Sequence, residues 1–249
     1  LHMATELSAF TGIIAPDQKV IDYFRDRDFA PTGHNWELAE AHWQDLKSDP
    51  GAVFDREISL DVSRIGPQIS WGTSPQHTID ASGVIPKPTD APSALQHSSW
   101  AKAQAYMQIT PGTRFEDYPI DAAFLGSCTN SRLSDLRQAA DYLRQSGARV
   151  AHSVKALCVP GSGRVKRAAE AEGIDKVFRE AGFEWREPGC SLCFFAGGER
   201  FADGARVIST TNRNFEGRQG LGVRTHLASP LSVVASACAG HLTSVDSQS

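Results

Sequence analysis

The chain reads as an α/β protein built on a largely parallel sheet. From about residue 121 onward, short apolar runs alternate with amphipathic helical stretches. That rhythm is what parallel strands need, because each crossover between them takes a helix. Several of the runs pass directly into glycine- and asparagine-rich segments, the strand-end loops where such sheets collect their chemistry. The 249 residues suffice for one large domain or two modest ones, and a hydrophobic content of 41% with 22% charged residues is that of a soluble globular chain.

The elements follow in order. Residues 17–29 place Val20, Ile21, Tyr23 and Phe24 near one helical face, and 36–46 repeat the pattern. Residues 54–65, F-D-R-E-I-S-L-D-V-S-R-I, alternate apolar and polar and predict a half-buried strand. The proline and glycine density of 67–92 predicts a domain boundary or a long surface crossing. A helix is expected over 93–109, a buried strand over 121–126, and a helix over 133–145 closed by Ser146 and Gly147. A second buried strand covers 154–159 and a turn 160–163. Helices over 164–172 and 174–181 are punctuated by Gly173 and Gly182. Short strands at 183–186 and 207–211 and a closing helix at 229–239 complete the chain, which has no internal repeat or low-complexity tract.

Composition narrows the function classes. The net charge is −4, without the basic face of a general nucleic-acid binder, so nucleic acid is not an expected partner. No apolar run approaches the ~20 residues of a membrane span, and the first residues lack the basic and apolar regions of a signal peptide. Five cysteines are too few and too odd in number for a disulfide framework, which points to a reducing cytoplasm.

Three segments gather the chemistry. G-S-C-T-N-S-R (126–132) places Cys128 between a buried strand and a helix start, flanked by Ser127 and Asn130. W-R-E-P-G-C-S-L-C (185–193) supplies Cys190 and Cys193. S-T-T-N-R-N-F-E-G-R-Q-G (209–220) carries Asn212, Arg213 and Arg218, and guanidinium planes grip carboxylates bidentately. One cysteine plus a distant Cys-x-x-Cys makes three thiolates. A structural zinc site wants a fourth ligand, with His226 or His241 as donors of unsuitable spacing. A thioredoxin-like redox pair is a further reading. A [4Fe–4S] cluster on three cysteines leaves one iron without a protein thiolate, free to act as a Lewis acid toward a small polycarboxylate. Spacing alone leaves these alternatives open.

Together, G-S-C-T-N-S-R, W-R-E-P-G-C-S-L-C and N-R-N-F-E-G-R-Q-G resemble the aconitase superfamily, and within it the large subunits of isopropylmalate dehydratases. A-T-E-L-S-A-F-T-G-I-I-A-P-D, W-G-T-S-P, V-P-G-S-G and R-T-H-L-A-S-P extend the resemblance almost end to end. It implies an aconitase-like three-layer α/β/α domain over 91–249, preceded over 1–90 by part of a neighbouring α/β domain and a connecting segment. It implies Cys128, Cys190 and Cys193 as ligands of a [4Fe–4S] cluster with one iron not held by cysteine. Arg213, Arg218 and Asn212 then lie beside cluster and substrate, Glu6 assists proton handling, and Ser127 and Asn130 flank the first ligand. The implied reaction is a stereospecific dehydration and rehydration of a hydroxy acid, with a small di- or tricarboxylate as substrate. The implied partners are a small subunit that carries a serine base and possible separate N-terminal large-subunit sequence. Related readings are a hydratase for homoaconitate or a methylated malate, an iron–sulfur sensor that binds RNA, and an assembly domain.

The chain also departs from the family. It has no G-D-S-H-T-type motif, so it corresponds to the C-terminal half of a large subunit and is expected to be inactive alone. Its Leu-His-Met start reads as a junction or a cut edge. After Cys193 the family's L-x-M-N-P-D is replaced by F-F-A-G-G-E (194–199), which leaves the substrate side chain open. Cys158 and Cys238 read as small buried hydrophobes, and His226 as a structural hydrogen-bonder. G-S-G-R-V-K-R (161–167) reads as a turn and solvated helix start, and Glu170–Glu172 as a solvated face.

Overall fold

The computed structural model describes residues 4, 8–126, 129–195 and 199–245. The chain divides into two compact units, Leu1–Val62 and Ser63–Ser249.

The first unit holds helices α1 (Gln18–Phe24) and α2 (His34–Gln44). The Asp17 carboxylate caps α1 by accepting from the Val20 amide. The helix expected to reach residue 29 stops at Phe24, and Asp26 then adopts a left-handed conformation (φ 60°) that no helix continues. On α2, Trp36 is buried edge-to-face against Trp43, and its indole N–H donates to Glu40 at 2.8 Å. The strand expected over 54–65 is a correction. No strand forms there, and Phe54, Ile58, Leu60 and Val62 are exposed. Alternation specifies two faces, but a strand forms only by pairing, and residues 54–65 pair with no strand among the described residues.

The second unit is organised by a five-stranded sheet of β3 (Ala122–Leu125), β4 (Lys155–Cys158), β5 (Glu184–Trp185), β6 (Arg206–Ser209) and β7 (Arg224–Leu227). Its order is β5-β4-β3-β6-β7 and every pairing is parallel. The crossovers are α4 (Leu133–Ser146) between β3 and β4, and α5 (Gly163–Ala171) with α6 (Ile174–Ala181) between β4 and β5. Gly147 closes α4 in a left-handed cap, φ 63°. Strand alternation splits the sheet's two faces. Ala123, Leu125, Ala156, Cys158 and Ile208 join a core with Leu136 and Leu143 of α4, Phe178 of α6, and Val233 and Val234 of α7 (Pro230–Ala239). Ala122, Phe124, Leu157 and Val207 face a smaller cluster that the loop residues Leu192, Phe201 and Val223 complete. Those loops pack on the sheet through one apolar anchor each, which fixes them close to the strand ends.

The proline-rich region 67–92 is also a correction. Part of it is a β-hairpin, β1 (Gln68–Ser70) with β2 (Thr78–Asp80), followed by a 3-10 turn at Pro88–Asp90. Ile69, Trp71 and Ile85 are buried in the main core, with Trp71 stacked on His77 at 4.5 Å. Helix α3 (Ala94–Met107) follows, capped by the Ser93 hydroxyl. The apolar residues among the prolines dock the segment on the sheet domain.

Strand β7 was not expected, because R-T-H-L holds one aliphatic residue. Its polar side chains are buried with partners. His226 Nδ1 donates to the Ser70 carbonyl at 2.7 Å, and Nε2 accepts from Arg206 at 2.9 Å. Burial, reinforced by Arg206, pushes the His226 pKa down from 6.5 to about 3, so the ring is neutral and structural. Cys158 is fully buried in β4 with its thiol pKa raised by burial, and burial also lifts Cys238 to about 11. Both fit packing roles.

The His226 shift has a sign. The unfolded chain binds a proton below about pH 6.5 and the folded chain does not until about 3. The contribution is fully present above 6.5 and is lost as pH falls through that window, at up to about 1.4 kcal/mol per pH unit. Urea denaturation from pH 7 to 5 is expected to show this loss, with His226→Gln flattening the slope; equal slopes in both proteins would contradict it.

Candidate functional site

Because all five strands are parallel, their C-terminal ends share one edge of the sheet. Beyond β3 the chain moves by way of α4 to β4 and then β5, whereas β6 sits on the other side of β3 and leads to β7. The order reverses between β3 and β6, and loops leaving a parallel sheet at such a point diverge and open a crevice. The segment after β3 is 126–132, and the segment after β6 begins at Thr210.

Side chains stitch these two segments together. The Thr210 hydroxyl accepts from the Gly126 amide at 3.0 Å and donates to the Gly126 carbonyl. Asn130 Nδ2 donates to the Thr210 carbonyl at 2.5 Å. Ser131 is buried, and its carbonyl accepts from Gly161 in the P-G-S-G turn after β4. There the Ser162 hydroxyl caps α5 by accepting from Val165, so the expected turn and helix start are what this segment forms. The expected solvated acidic face is ion-paired: Glu170 holds Lys166 and Glu172 holds Arg137.

The cysteine turn leaves from β5. A 3-10 turn at Ser191–Cys193 begins with the Cys193 amide donating to the Cys190 carbonyl at 2.8 Å. Ser191 sits at φ 44°, an uncommon conformation for a residue with a side chain. Leu192 is fully buried in the smaller apolar cluster, Cys193 packs half-buried against that cluster, and Cys190 is exposed, both cysteines as free thiols. Arg186, held by Glu184 and Glu199, reaches the Ser191 hydroxyl at 3.5 Å.

The arginine loop closes on this turn. Arg218 Nε donates to the Cys193 carbonyl at 2.9 Å; one terminal nitrogen lies 3.4 Å from the Cys193 sulfur and 3.5 Å from Asn212 Oδ1. Phe215 and Phe194 pack near its guanidinium, at 5.3 and 5.9 Å. The neighbouring Gln219 is buried and donates to the Leu192 carbonyl at 2.6 Å, while Thr225 donates to its oxygen at 2.8 Å. Two consecutive residues thus bind the backbone of the Cys-x-x-Cys turn. Asn214, also buried, donates from Nδ2 to Ser70 Oγ, the Gly72 carbonyl and the Thr225 carbonyl at 3.1, 2.6 and 3.2 Å. It ties the loop to the hairpin and to β7.

The sequence that builds this geometry has relatives. The family described as "Aconitase family (aconitate hydratase)" matches residues 1–240. The chain belongs to the aconitase family. It is 56% identical over 241 residues to a Cupriavidus necator protein named "3-isopropylmalate dehydratase large subunit", an alignment that covers 97% of this chain and 90% of that protein.

Of the residues that the aconitase resemblance singled out, Cys193, Arg218 and Asn212 are brought into contact. Cys190 lies on the same turn, and Asn130 joins the β6 end through Thr210. Arg213 is exposed on the loop with its carbonyl accepting from Thr211. Glu6, Ser127 and Cys128 lie outside the described residues, as do 196–198 of the F-F-A-G-G-E departure. His226 is no fourth zinc ligand in this arrangement, since both ring nitrogens are engaged. Thr210, Asn214 and Gln219 went unrecognised as site-building residues. They lie inside the same motif, but short polar residues carry no sequence mark of burial.

Asn214→Ala is expected to destabilise the chain by about 1–3 kcal/mol, because three acceptors lose one buried donor. Urea denaturation checks this; a change within about 0.5 kcal/mol, the surface range, would contradict it.

Proposed function

We propose that this chain is the cluster-bearing part of a hydro-lyase that interconverts 2-isopropylmalate and 3-isopropylmalate, as in leucine biosynthesis in the cytoplasm. One observation carries the site reading: Arg218 contacts both the sulfur and the carbonyl of Cys193 while touching Asn212. The substrate comes from the relative's name, and so does a small-subunit partner. Additional large-subunit sequence, supplied separately, is part of the same proposal.

The donor chemistry fits an iron–sulfur cluster. Cys190 and Cys193 are free, accessible, soft donors, and a guanidinium beside one sulfur offsets thiolate charge. With Cys128 as third ligand, they would hold a [4Fe–4S] cluster in which one iron has no cysteine. When bound, that group supplies a Lewis acid.

The protein's own groups do the rest. Arg218 and Arg213 bind substrate carboxylates, and their fixed charge offsets the negative charge that builds as the carbon–oxygen bond breaks. Asn212 orients Arg218 through its side-chain oxygen. Asn130 and Ser127 shape the wall after β3, and Glu6 takes part in proton transfer. The aromatic rings at Phe194 and Phe215 give the arginine an apolar border suited to a substrate with an aliphatic substituent.

Two outcomes are expected. Anaerobic reconstitution of the chain gives broad visible absorbance with iron and sulfide in equal amounts, and Cys190→Ser or Cys193→Ser removes most of it. A colourless protein holding one zinc would overturn the cluster reading. Combined with a small subunit and the additional large-subunit sequence proposed above, the reconstituted chain dehydrates 2-isopropylmalate. In that complex Arg218→Lys lowers kcat/KM at least about tenfold, because an ammonium cannot reproduce the bidentate fork; unchanged turnover would contradict the role of Arg218.

A further inference from the structure

We infer that Tyr106 is a positioning residue for Arg218, acting from helix α3 through the backbone of the arginine loop. The inference rests on the carboxylate-binding reading of Arg218 for its kinetic consequence, but not for its structural one.

The loop from Phe215 to Val223 is a tight double turn. Arg218 N donates to the Phe215 carbonyl at 3.1 Å, and Gly220 N to the Gly217 carbonyl at 3.1 Å. Gly217 (φ 75°) and Gly220 (φ 144°) bracket Arg218 and Gln219 in conformations that only glycine adopts freely. At Gly220 a Cβ would also lie 2.9 Å from Val223 and 3.2 Å from the Phe201 carbonyl. The middle of the turn is held from the 192–204 side, where the Gln219 side chain donates to the Leu192 carbonyl at 2.6 Å, Phe201 N donates to the Gln219 carbonyl at 3.2 Å and Gly204 N to the Leu221 carbonyl at 3.0 Å.

One hydroxyl on helix α3 ties the two ends of the turn together. Tyr106 Oη accepts from the Gly217 amide at 2.8 Å and donates to the Val223 carbonyl at 3.0 Å. Gly217 immediately precedes Arg218, and Val223 immediately precedes β7. The turn is therefore pinned between a rigid helix and the start of a sheet strand. From it Arg218 reaches Cys193 and Asn212, and its own carbonyl accepts from the Phe195 amide at 2.5 Å. The tyrosine is half-buried, and burial raises its pKa, so the hydroxyl keeps the proton it donates. No other tyrosine bridges this loop among the described residues. Loss of the hydroxyl frees two backbone groups at once and leaves the phenyl packing on the core edge.

Tyr106→Phe tests this in two arms. In the full 249-residue chain without cofactor, hydrogen–deuterium exchange is expected to rise severalfold in peptides covering 215–223 and 193–195, with α4 and α6 unchanged. Equal exchange in the loop, or a rise throughout the sheet domain, would overturn the inference. The second arm uses the active reconstituted complex. Tyr106→Phe is expected to lower kcat/KM for 2-isopropylmalate severalfold, by less than Arg218→Lys does, with the loss divided between kcat and KM in the same proportion as in Arg218→Lys. Its effect should largely vanish in an Arg218→Lys background, since residues that act through one another are not additive. A full-size effect in that background would overturn the positioning role. If the wild-type complex fails to turn over 2-isopropylmalate, the substrate assignment falls while the exchange arm still decides whether Tyr106 holds the loop.

Discussion

Everything at this site depends on the parallel pairing of β3 with both β4 and β6. In a parallel sheet every strand ends at the same edge, and every return must cross a face. The register Leu125↔Cys158 and Phe124↔Ser209 brings the ends of three strands level. Segments 84 residues apart, at Gly126 and Thr210, can then share hydrogen bonds between a hydroxyl and one peptide unit. An antiparallel arrangement of the same strands would send alternate loops to opposite edges.

On that platform the second determinant is the two-residue grip of Arg218 and Gln219 on the Cys-x-x-Cys turn. Gln219 is buried and binds the Leu192 carbonyl, a neutral bond that fixes depth. Arg218 is half-buried and binds Cys193 through carbonyl and sulfur, a charged contact that fixes charge next to a thiol. Leu192, inserted into the smaller apolar cluster, keeps the intervening residue from turning outward. Burial of that one side chain anchors the turn that carries both cysteines, Cys190 exposed and Cys193 half-buried against the same cluster. The same economy appears at Asn214, where a single amide nitrogen joins loop, hairpin and β7.

Much of this was legible in the sequence. The alternation of apolar runs and helices located the sheet strands within a residue or two, because buried parallel strands are apolar on both faces. β7 escaped because His226 and Thr225 are buried by pairing, with Arg206, Ser70 and Gln219, and pairing leaves no periodic signal. The opposite error arose at 54–65, where clear alternation is not matched by any strand pairing among the described residues. Of the candidate residues singled out by type and motif, Cys193, Arg218 and Asn212 are brought into contact. Thr210, Asn214 and Gln219 could not be singled out that way, since their roles come from distances that only the folded chain creates.

The central claim is that the cysteine turn and the arginine loop form one site for cofactor and carboxylate substrate. The most direct test is electron paramagnetic resonance of the reduced, reconstituted complex before and after addition of 2-isopropylmalate, in wild type and Arg218→Ala at equal iron content. The account predicts a substrate-induced change of the signal in wild type that is lost in the variant at the same substrate concentration. The same change in both proteins, or none in wild type, would contradict it.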